Sequence, residues 1–422
     1  MCMYMCIYLS RMKCNSSIHP MLVRRFSTAM PPLPARRCIS TALRSPFATP
    51  ERDAFRTTMR DFVAAEVTPH VDAWDEAGDI PWELHAKVGA LGAWGFGIDE
   101  RYGGLGFDDA FMRAIYSEEL AMCGAGGVWA GLNGRMISVE PIYRLANEEI
   151  KERALAHIVS GHAGSCLGVT EPGGGSDVAA MSTTARLDGD AYVLNGTKTF
   201  ITGGMKADYF VIAARTGGPG LGGISLFFVD RDTPGFERAS IDRKMGWWAS
   251  DTATLFLSDC RVPTSHLMGV KDKGFISIME NFNHERVGLI AGMLGMMRVC
   301  LAESIAWAQD RKTFGQPLMQ HQVIRHKIAE MSSRIDAVEA YTNHICWAIN
   351  ESHMPVAEIS KCKFFTSKQT EFVASEAMQI LGGAGYLRGS PVERIYREVK
   401  VMAIGGGSEE IMRDLAVRQM GL

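Results

Sequence analysis

The sequence offers no run approaching about 18 uninterrupted apolar residues, so a membrane-spanning helix is not expected. None of its ten dispersed cysteines forms a CxxC pair. A zinc site or any other metal centre is therefore unexpected, as is a secreted disulfide framework; reduced, mostly buried thiols are the plain reading. Net charge is only −3, which gives no electrostatic case for nucleic acid. There is no GxGxxG after a strand and no alternation of strands with helices, which disfavours a Rossmann domain. Acidic residues are missing from the beginning: no Asp or Glu precedes Glu51, while Arg11, Arg24, Arg25, Arg36, Arg37 and Arg44 fall there among several serines. Such a start resembles a mitochondrial transit peptide over residues 1–50, with the mature protein in the matrix; a true start at Met21 or Met30 is the alternative. The final Gly421-Leu422 does not carry a Ser-Lys-Leu peroxisomal address.

What is present is an ordinary globular chain of 422 residues, 47% apolar, long enough for roughly two or three domains. Residues 51–162 read as helical: Phe55, Met59, Phe62, Val63 and Val67 recur at spacings of three and four. Tyr102–Phe107 is a glycine-rich break before the next helical stripe. Between 163 and 271 the signal turns to strands, at Tyr209–Ala213, Ile224–Val229 and Ala253–Leu257. Asn195-Gly196 between two β-prone runs predicts a hairpin with a type I′ turn. Short strands in series imply an antiparallel sandwich or barrel. Residues 272–422 are helical again, with long periodic stretches over Ile276–Asp310, Gln322–Asn350 and Val356–Leu381 that read as a bundle. The fold class expected is α+β multidomain: an N-terminal helical domain, a central antiparallel β-domain and a C-terminal four-helix bundle.

The chemistry-bearing segments begin with Gly168-Val-Thr-Glu-Pro-Gly-Gly-Gly-Ser-Asp177. Small residues let a backbone approach a bound group, and Thr and Ser supply hydroxyls. Phe200-Ile-Thr202 adds an aromatic ring and a hydroxyl. Further motifs are Arg311-Lys-Thr-Phe-Gly-Gln-Pro-Leu318, Gln379-Ile-Leu-Gly-Gly-Ala-Gly-Tyr386, Pro391–Arg397 and Ile404-Gly-Gly-Gly-Ser-Glu-Glu-Ile411. In this order and at this spacing the set resembles the acyl-CoA dehydrogenases, over about residues 51–422.

The resemblance implies FAD as cofactor, an acyl-CoA substrate, an electron-transfer flavoprotein as partner and a homotetramer built from dimers. It places Val169 and Thr170 at the isoalloxazine edge, and Gly175 and Ser176 near the pyrophosphate and the thioester tail. Phe200 and Thr202 go against the flavin. Arg311, Thr313, Phe314, His321 and Gln322, with Gln379 and Gly383, reach the FAD of a neighbouring subunit; Ser408 and Glu410 contact FAD from the last turn and helix. Removing an α-proton needs a base, and many relatives carry a Glu in the segment that here reads Gly405-Gly406-Gly407-Ser408, so Gly406 stands in its place. That departure implies either an inactive chain or membership of the subset that the resemblance offers with the base on the first long C-terminal helix, just before an Arg. That assigns Glu285 of Asn283-His284-Glu285-Arg286, with Glu280 and Glu409 as fallbacks. Asn283, Arg286, Gly406 and Gly407 are then expected at the substrate, the Gly406 N–H donating to the thioester carbonyl. This subset includes long-chain and branched-chain (isovaleryl) enzymes. The alternatives are an acyl-CoA oxidase on the same fold and a non-catalytic FAD-binding assembly protein.

Overall fold

The computed structural model describes residues 45–134 and 136–422; the expected transit segment lies almost wholly outside the described residues. The unit Thr49–Leu422 opens with α1 (Pro50–Phe62), capped by the Thr49 hydroxyl and started by a proline at its first position. Then come α2 (Val71–Ala77), α3 (Glu83–Ala90), α4 (Ala110–Ala121), α5 (Gly126–Asn133), α6 (Met136–Leu145) and α7 (Glu148–Val159). The Asp109 carboxylate accepts from the Phe111 and Met112 amides at the start of α4. These two caps fix where their helices begin.

The β-domain runs through β1 (Ser165–Gly168), β2 (Thr184–Asp188), β3 (Ala191–Thr202), β4 (Tyr209–Arg215), β5 (Ile224–Asp230), β6 (Phe236–Ser240), β7 (Thr252–Pro263) and β8 (Leu267–Met268). The strands form one sheet in the order β6-β7-β3-β2-β4-β5-β8, with β1 beside β4. Most pairs are antiparallel, but β1 and β2 each run parallel to β4. Alternation along β4 divides two cores. Val211 and Ala213 pack with helical residues such as Ile142, Leu155 and Ile158, while Phe210, Ile212 and Ala214 pack with Tyr192, Phe227, Leu255 and Phe236.

One expectation is corrected. Asn195-Gly196 is not a turn: β3 runs straight through it, and β2 turns into β3 at Gly189-Asp190. The dipeptide forms a bulge against β7. A Cβ on Gly196 would lie 2.4 Å from the Thr183 hydroxyl, so glycine is required by close approach. The Asn195 side chain accepts from the Asp259 amide at 2.8 Å, binding the bulge to β7.

The last third contains α8 (Gly274–Asp310), a two-residue-tipped hairpin of β9 (Lys312–Thr313) and β10 (Gln316–Pro317), then α9 (Gln322–Asn350), α10 (Val356–Leu381), α11 (Pro391–Ile404) and α12 (Glu409–Gln419). Helices α8, α9 and α10 pack on one another, and α11 and α12 close against α10. By length and composition α8 could cross a membrane, yet 72% of its most apolar window is buried inside the protein. Its role is to be the shared wall: α4 and α5 lie on its other side. Glycines permit that approach, since a Cβ on Gly292 would meet Trp129 at 2.7 Å and one on Gly295 would meet the Glu118 carbonyl at 2.4 Å. The Ser117 hydroxyl donates to the Gly288 carbonyl at 2.7 Å and accepts from the Trp129 indole at 3.0 Å. One turn before this seam sits Glu285.

Candidate active site

Glu285 forms part of the wall of a cavity of about 170 Å³ between α4, α5, α6 and α8, with Thr202 of β3 and Trp247 of the β6–β7 connection at the same wall. Its Oε2 is buried and has no hydrogen-bond partner among the described residues. Burial pushes its pKa up to about 7, against the pull of Arg286 and Lys363. An unpartnered carboxylate held near neutrality is suited to take a proton from a weak carbon acid. As pH falls it becomes protonated, so a reaction that needs the carboxylate should lose rate below about pH 7 and level off above it. A pH profile of single-turnover rate checks this. The same raised pKa favours the fold below the group's ordinary range, and that contribution is lost as pH rises through about 7.

Gly406 faces this carboxylate. A Cβ there would lie 4.0 Å from Glu285 Oε1 and 2.3 Å from Leu289, and its φ of +66° suits glycine. Gly407 follows at φ +101°. Two buried cations fix this backbone. Arg286 donates from Nε to the Gly406 carbonyl at 3.0 Å and from Nη1 to Asn283 Oδ1 at 2.9 Å. Lys363 Nζ donates to the Gly407 carbonyl at 2.6 Å. Arg286 and Asn283, expected at the substrate, spend these groups within the protein. Arg286 is 4% exposed and Asn283 is 7% exposed, and their polar ends serve each other and the 406 peptide. Both are positioning residues. The fallback bases are also disposed of: Glu280 is exposed, and Glu409 accepts from the Ser367 hydroxyl at 2.8 Å and pairs with Lys368 at 3.1 Å.

Lys363 escaped the sequence reading. The signal was there: it falls in the stripe Ile359, Cys362, Thr366 and Thr370 of α10, all fully buried, so a lysine occupies a core position. Burial lowers its pKa to about 8. Lys363→Met removes a positive charge that favours ionised Glu285, so the midpoint of the pH–rate profile should move upward. A profile that keeps its midpoint would show that Lys363 acts on the Gly407 carbonyl alone.

On the other side of Thr202 lies an open ledge. Its backbone is fixed by Lys198 Nζ donating to the Val169 carbonyl at 3.2 Å and by the Thr199 amide donating to the Thr170 carbonyl at 2.9 Å. Glu171 anchors the loop. Its carboxylate accepts from Lys198 Nζ at 2.8 Å, the Ser182 amide at 2.7 Å and the Thr183 amide at 2.8 Å. Burial opposes ionisation of Glu171, but those hydrogen bonds win and hold it at about 2. Gly175 and Ser176 are exposed at the end of the ledge. Phe200 sits at φ +58°, rare for a bulky residue, with 68% of its surface exposed. Strain and an uncovered ring together mark a place for a flat ligand. Trp247 is likewise at positive φ; its amide donates to Glu398 at 2.8 Å, and the other oxygen of Glu398 accepts from the Gly126 amide at 2.7 Å.

The remaining expected residues stand apart from the cavity. Phe314 and Gly315, both at positive φ, form the hairpin tip, and the Phe314 side chain is 98% exposed. His321 braces the hairpin through Thr313 at 3.2 Å and Gln316 at 3.4 Å. Arg311, Gln322, Gln379, Gly383 and Glu410 are exposed; Ser408 caps α12 through the Ile411 amide.

Family models of the acyl-CoA dehydrogenase N-terminal, middle and C-terminal domains match residues 49–162, 166–260 and 272–421. The mitochondrial long-chain specific acyl-CoA dehydrogenase of Sus scrofa is 33% identical over 92% of this chain and 90% of its own. The crystal structure of an acyl-CoA dehydrogenase from Geobacillus kaustophilus superposes with a TM-score of 0.85 at 34% identity, covering 90% of this chain and 100% of that one. A glutaryl-CoA dehydrogenase from Mycobacterium smegmatis, solved with FADH2, gives 0.84 at 29% identity over 88% and 95%.

Proposed function

The chain belongs to the acyl-CoA dehydrogenase family, an FAD-dependent oxidoreductase by that membership, and we propose that Glu285 is the base that takes the α-proton of the acyl-CoA thioester. The observation that carries this is the buried, unpartnered Oε2 of Glu285 at the cavity wall, opposite Gly406. The Gly406 N–H donates to the thioester carbonyl, where negative charge grows as the proton leaves. Arg286 and Lys363 keep that peptide oriented by holding the carbonyls of 406 and 407. The absent side chain at 406, whose Cβ would meet Leu289 at 2.3 Å, leaves the carboxylate room to approach the α-carbon.

The ledge fits FAD: an exposed ring at Phe200, the Thr170 and Thr202 hydroxyls, and the Val169–Ser176 backbone would receive it. When bound, FAD supplies the acceptor for the hydride that leaves the β-carbon, so the product is the trans-2-enoyl-CoA. Arg311, Thr313, Phe314, His321, Gln322, Gln379 and Gly383 reach the FAD of a neighbouring copy in a homotetramer, and Ser408 and Glu410 contribute from the α12 start. An exposed Phe314 at a hairpin tip and Tyr386 at 83% exposure support that arrangement. We also assign an electron-transfer flavoprotein as the electron acceptor and the mitochondrial matrix as the location, the latter on the acid-free first fifty residues. The acyl group we assign is of the long or branched kind that the resemblance offers.

The test is anaerobic mixing of the FAD-loaded protein with a panel of acyl-CoAs, following loss of flavin absorbance and appearance of enoyl-CoA. Failure of every thioester to bleach the flavin would refute the reading.

A further inference from the structure

Two tryptophans stand in the wall of the cavity, Trp129 of α5 and Trp247 of the β6–β7 connection, with ring centroids 5.9 Å apart. They are held differently. Trp129 is tied by its own ring: the indole donates to the Ser117 hydroxyl, and the ring packs on α8 where a Cβ on Gly292 would meet it. Trp247 has no such tie. Its indole Nε1 is buried without a hydrogen-bond partner among the described residues, and its φ of +56° is one that a bulky residue keeps only under constraint. The ring is therefore placed by its backbone, and that backbone must itself be held.

The holding group is Glu398, which is 1% exposed and does not line the cavity. One carboxyl oxygen accepts from the Trp247 amide at 2.8 Å and the other from the Gly126 amide at 2.7 Å. Lys244 fixes the far side of the same residue, its Nζ donating to the Trp247 carbonyl at 2.9 Å. Gly126 opens α5, and Ala125 before it offers no side-chain cap. Glu398 thus satisfies, from another helix, one of the amides that a helix start leaves open. Glycines permit the junction. A Cβ on Gly126 would lie 2.5 Å from Trp247 Nε1 and 3.0 Å from Glu398 Oε2, and one on Gly246 would lie 2.6 Å from Glu398 Cγ. About two turns further along α11 the chain reaches the glycines that face Glu285. One helix therefore links both tryptophans to the assigned seat of the thioester.

We propose that Glu398 is a positioning residue of the acyl site: by binding the Trp247 and Gly126 amides together, it fixes the aromatic wall against which acyl chains are selected. This rests on the reading of the cavity as the acyl site. The effect is on fit, since the wall decides which chain lies with its α-carbon at Glu285, and a misplacement of about 1 Å can cost on the order of 10²-fold. Glu398→Gln keeps the shape but turns an NH2 group toward one of the two amides, so one hydrogen bond is lost.

The experiment follows anaerobic flavin bleaching of the FAD-loaded protein by butanoyl-, isovaleryl-, octanoyl- and hexadecanoyl-CoA, reading half-saturating concentration and limiting rate separately. Glu398→Gln should raise the half-saturating concentration of the parent's best thioester by about 10–10²-fold and narrow the spread of efficiencies across the panel. Glu398→Asp, with both acceptors drawn back by one methylene, should fall between the two. Trp247→Ala, which leaves Glu398 and the start of α5 intact, should narrow the spread in the same way. The double variant should lose less than the product of the two single losses, because both act through one wall. An unchanged spread in Glu398→Gln, a loss by one common factor for every thioester, or losses that multiply in the double variant overturns the inference. So does a Trp247→Ala protein that keeps the parent's spread, which can be read whether or not a Glu398 variant folds. In all these cases the parent still bleaches and the dehydrogenase reading stands. A parent that no thioester bleaches overturns both.

Discussion

Glu285→Gln should slow flavin bleaching by an acyl-CoA by about 10²–10⁴-fold, the usual weight of a positioned general base. The amide matches the carboxylate in shape, so cavity and α8 packing persist; what is lost is the ability to accept a proton. Because Oε2 has no partner among the described residues, the substitution takes no hydrogen bond away from a neighbouring protein group. FAD content and melting temperature should therefore stay near those of the parent, which separates a chemical defect from a folding one. Rapid-mixing absorbance with a matched FAD-loaded pair measures it. A variant that bleaches as fast as the parent would move the base elsewhere, and neither Glu280 nor Glu409 is placed to inherit the task.

Lys198→Met should be the most damaging single change outside the cavity. Lys198 is fully buried and paired with Glu171. Removing one member of a buried ion pair costs about 3–5 kcal/mol, because the other charge stays behind without its partner. Lys198 also ties down the Val169 carbonyl, so the ledge loosens and FAD retention should fall with stability. Denaturant unfolding and flavin content after gel filtration report the two effects. The double variant Lys198→Met/Glu171→Gln removes both charges and keeps one acceptor oxygen, enough for the Ser182 or the Thr183 amide but not for both. It should recover part of the lost stability; if it is as weak as the single variant, the ion pair is not the cause.

Long-range order was readable where periodicity is long. The limits of α9 and α10 fall where the helical stripes end, and the strands β4, β5 and β7 contain the runs that announced them. The Asn195-Gly196 reading failed because the same dipeptide serves a turn or a bulge, and β7, some sixty residues later, decides between them. Site residues divide in the same way. Glu285 and Gly406 are paired by motif logic, and the fold brings the two together, a Cβ at 406 lying 4.0 Å from Glu285 Oε1. Arg286 was placed at the substrate because a motif gives no direction to a side chain; in the fold it turns inward to the 406 carbonyl. Lys363 and Glu398 were missed because their meaning arises from partners on other helices and loops.

The close seam between α8 and the α4–α5 pair has a consequence for biosynthesis. Arg397 of α11 binds Asp75 of α2 at 2.6 Å, and Glu398 caps the Gly126 amide, so the opening helices find their partners only some 300 residues downstream. At roughly 5–20 residues per second of synthesis, that is an interval of about 15–60 s. The apolar faces of α4 and α5 wait for α8, whose Gly288 lies 171 residues after Ser117, so they stay uncovered for about 9–34 s of that interval, and a nascent-chain chaperone is the natural shelter for it.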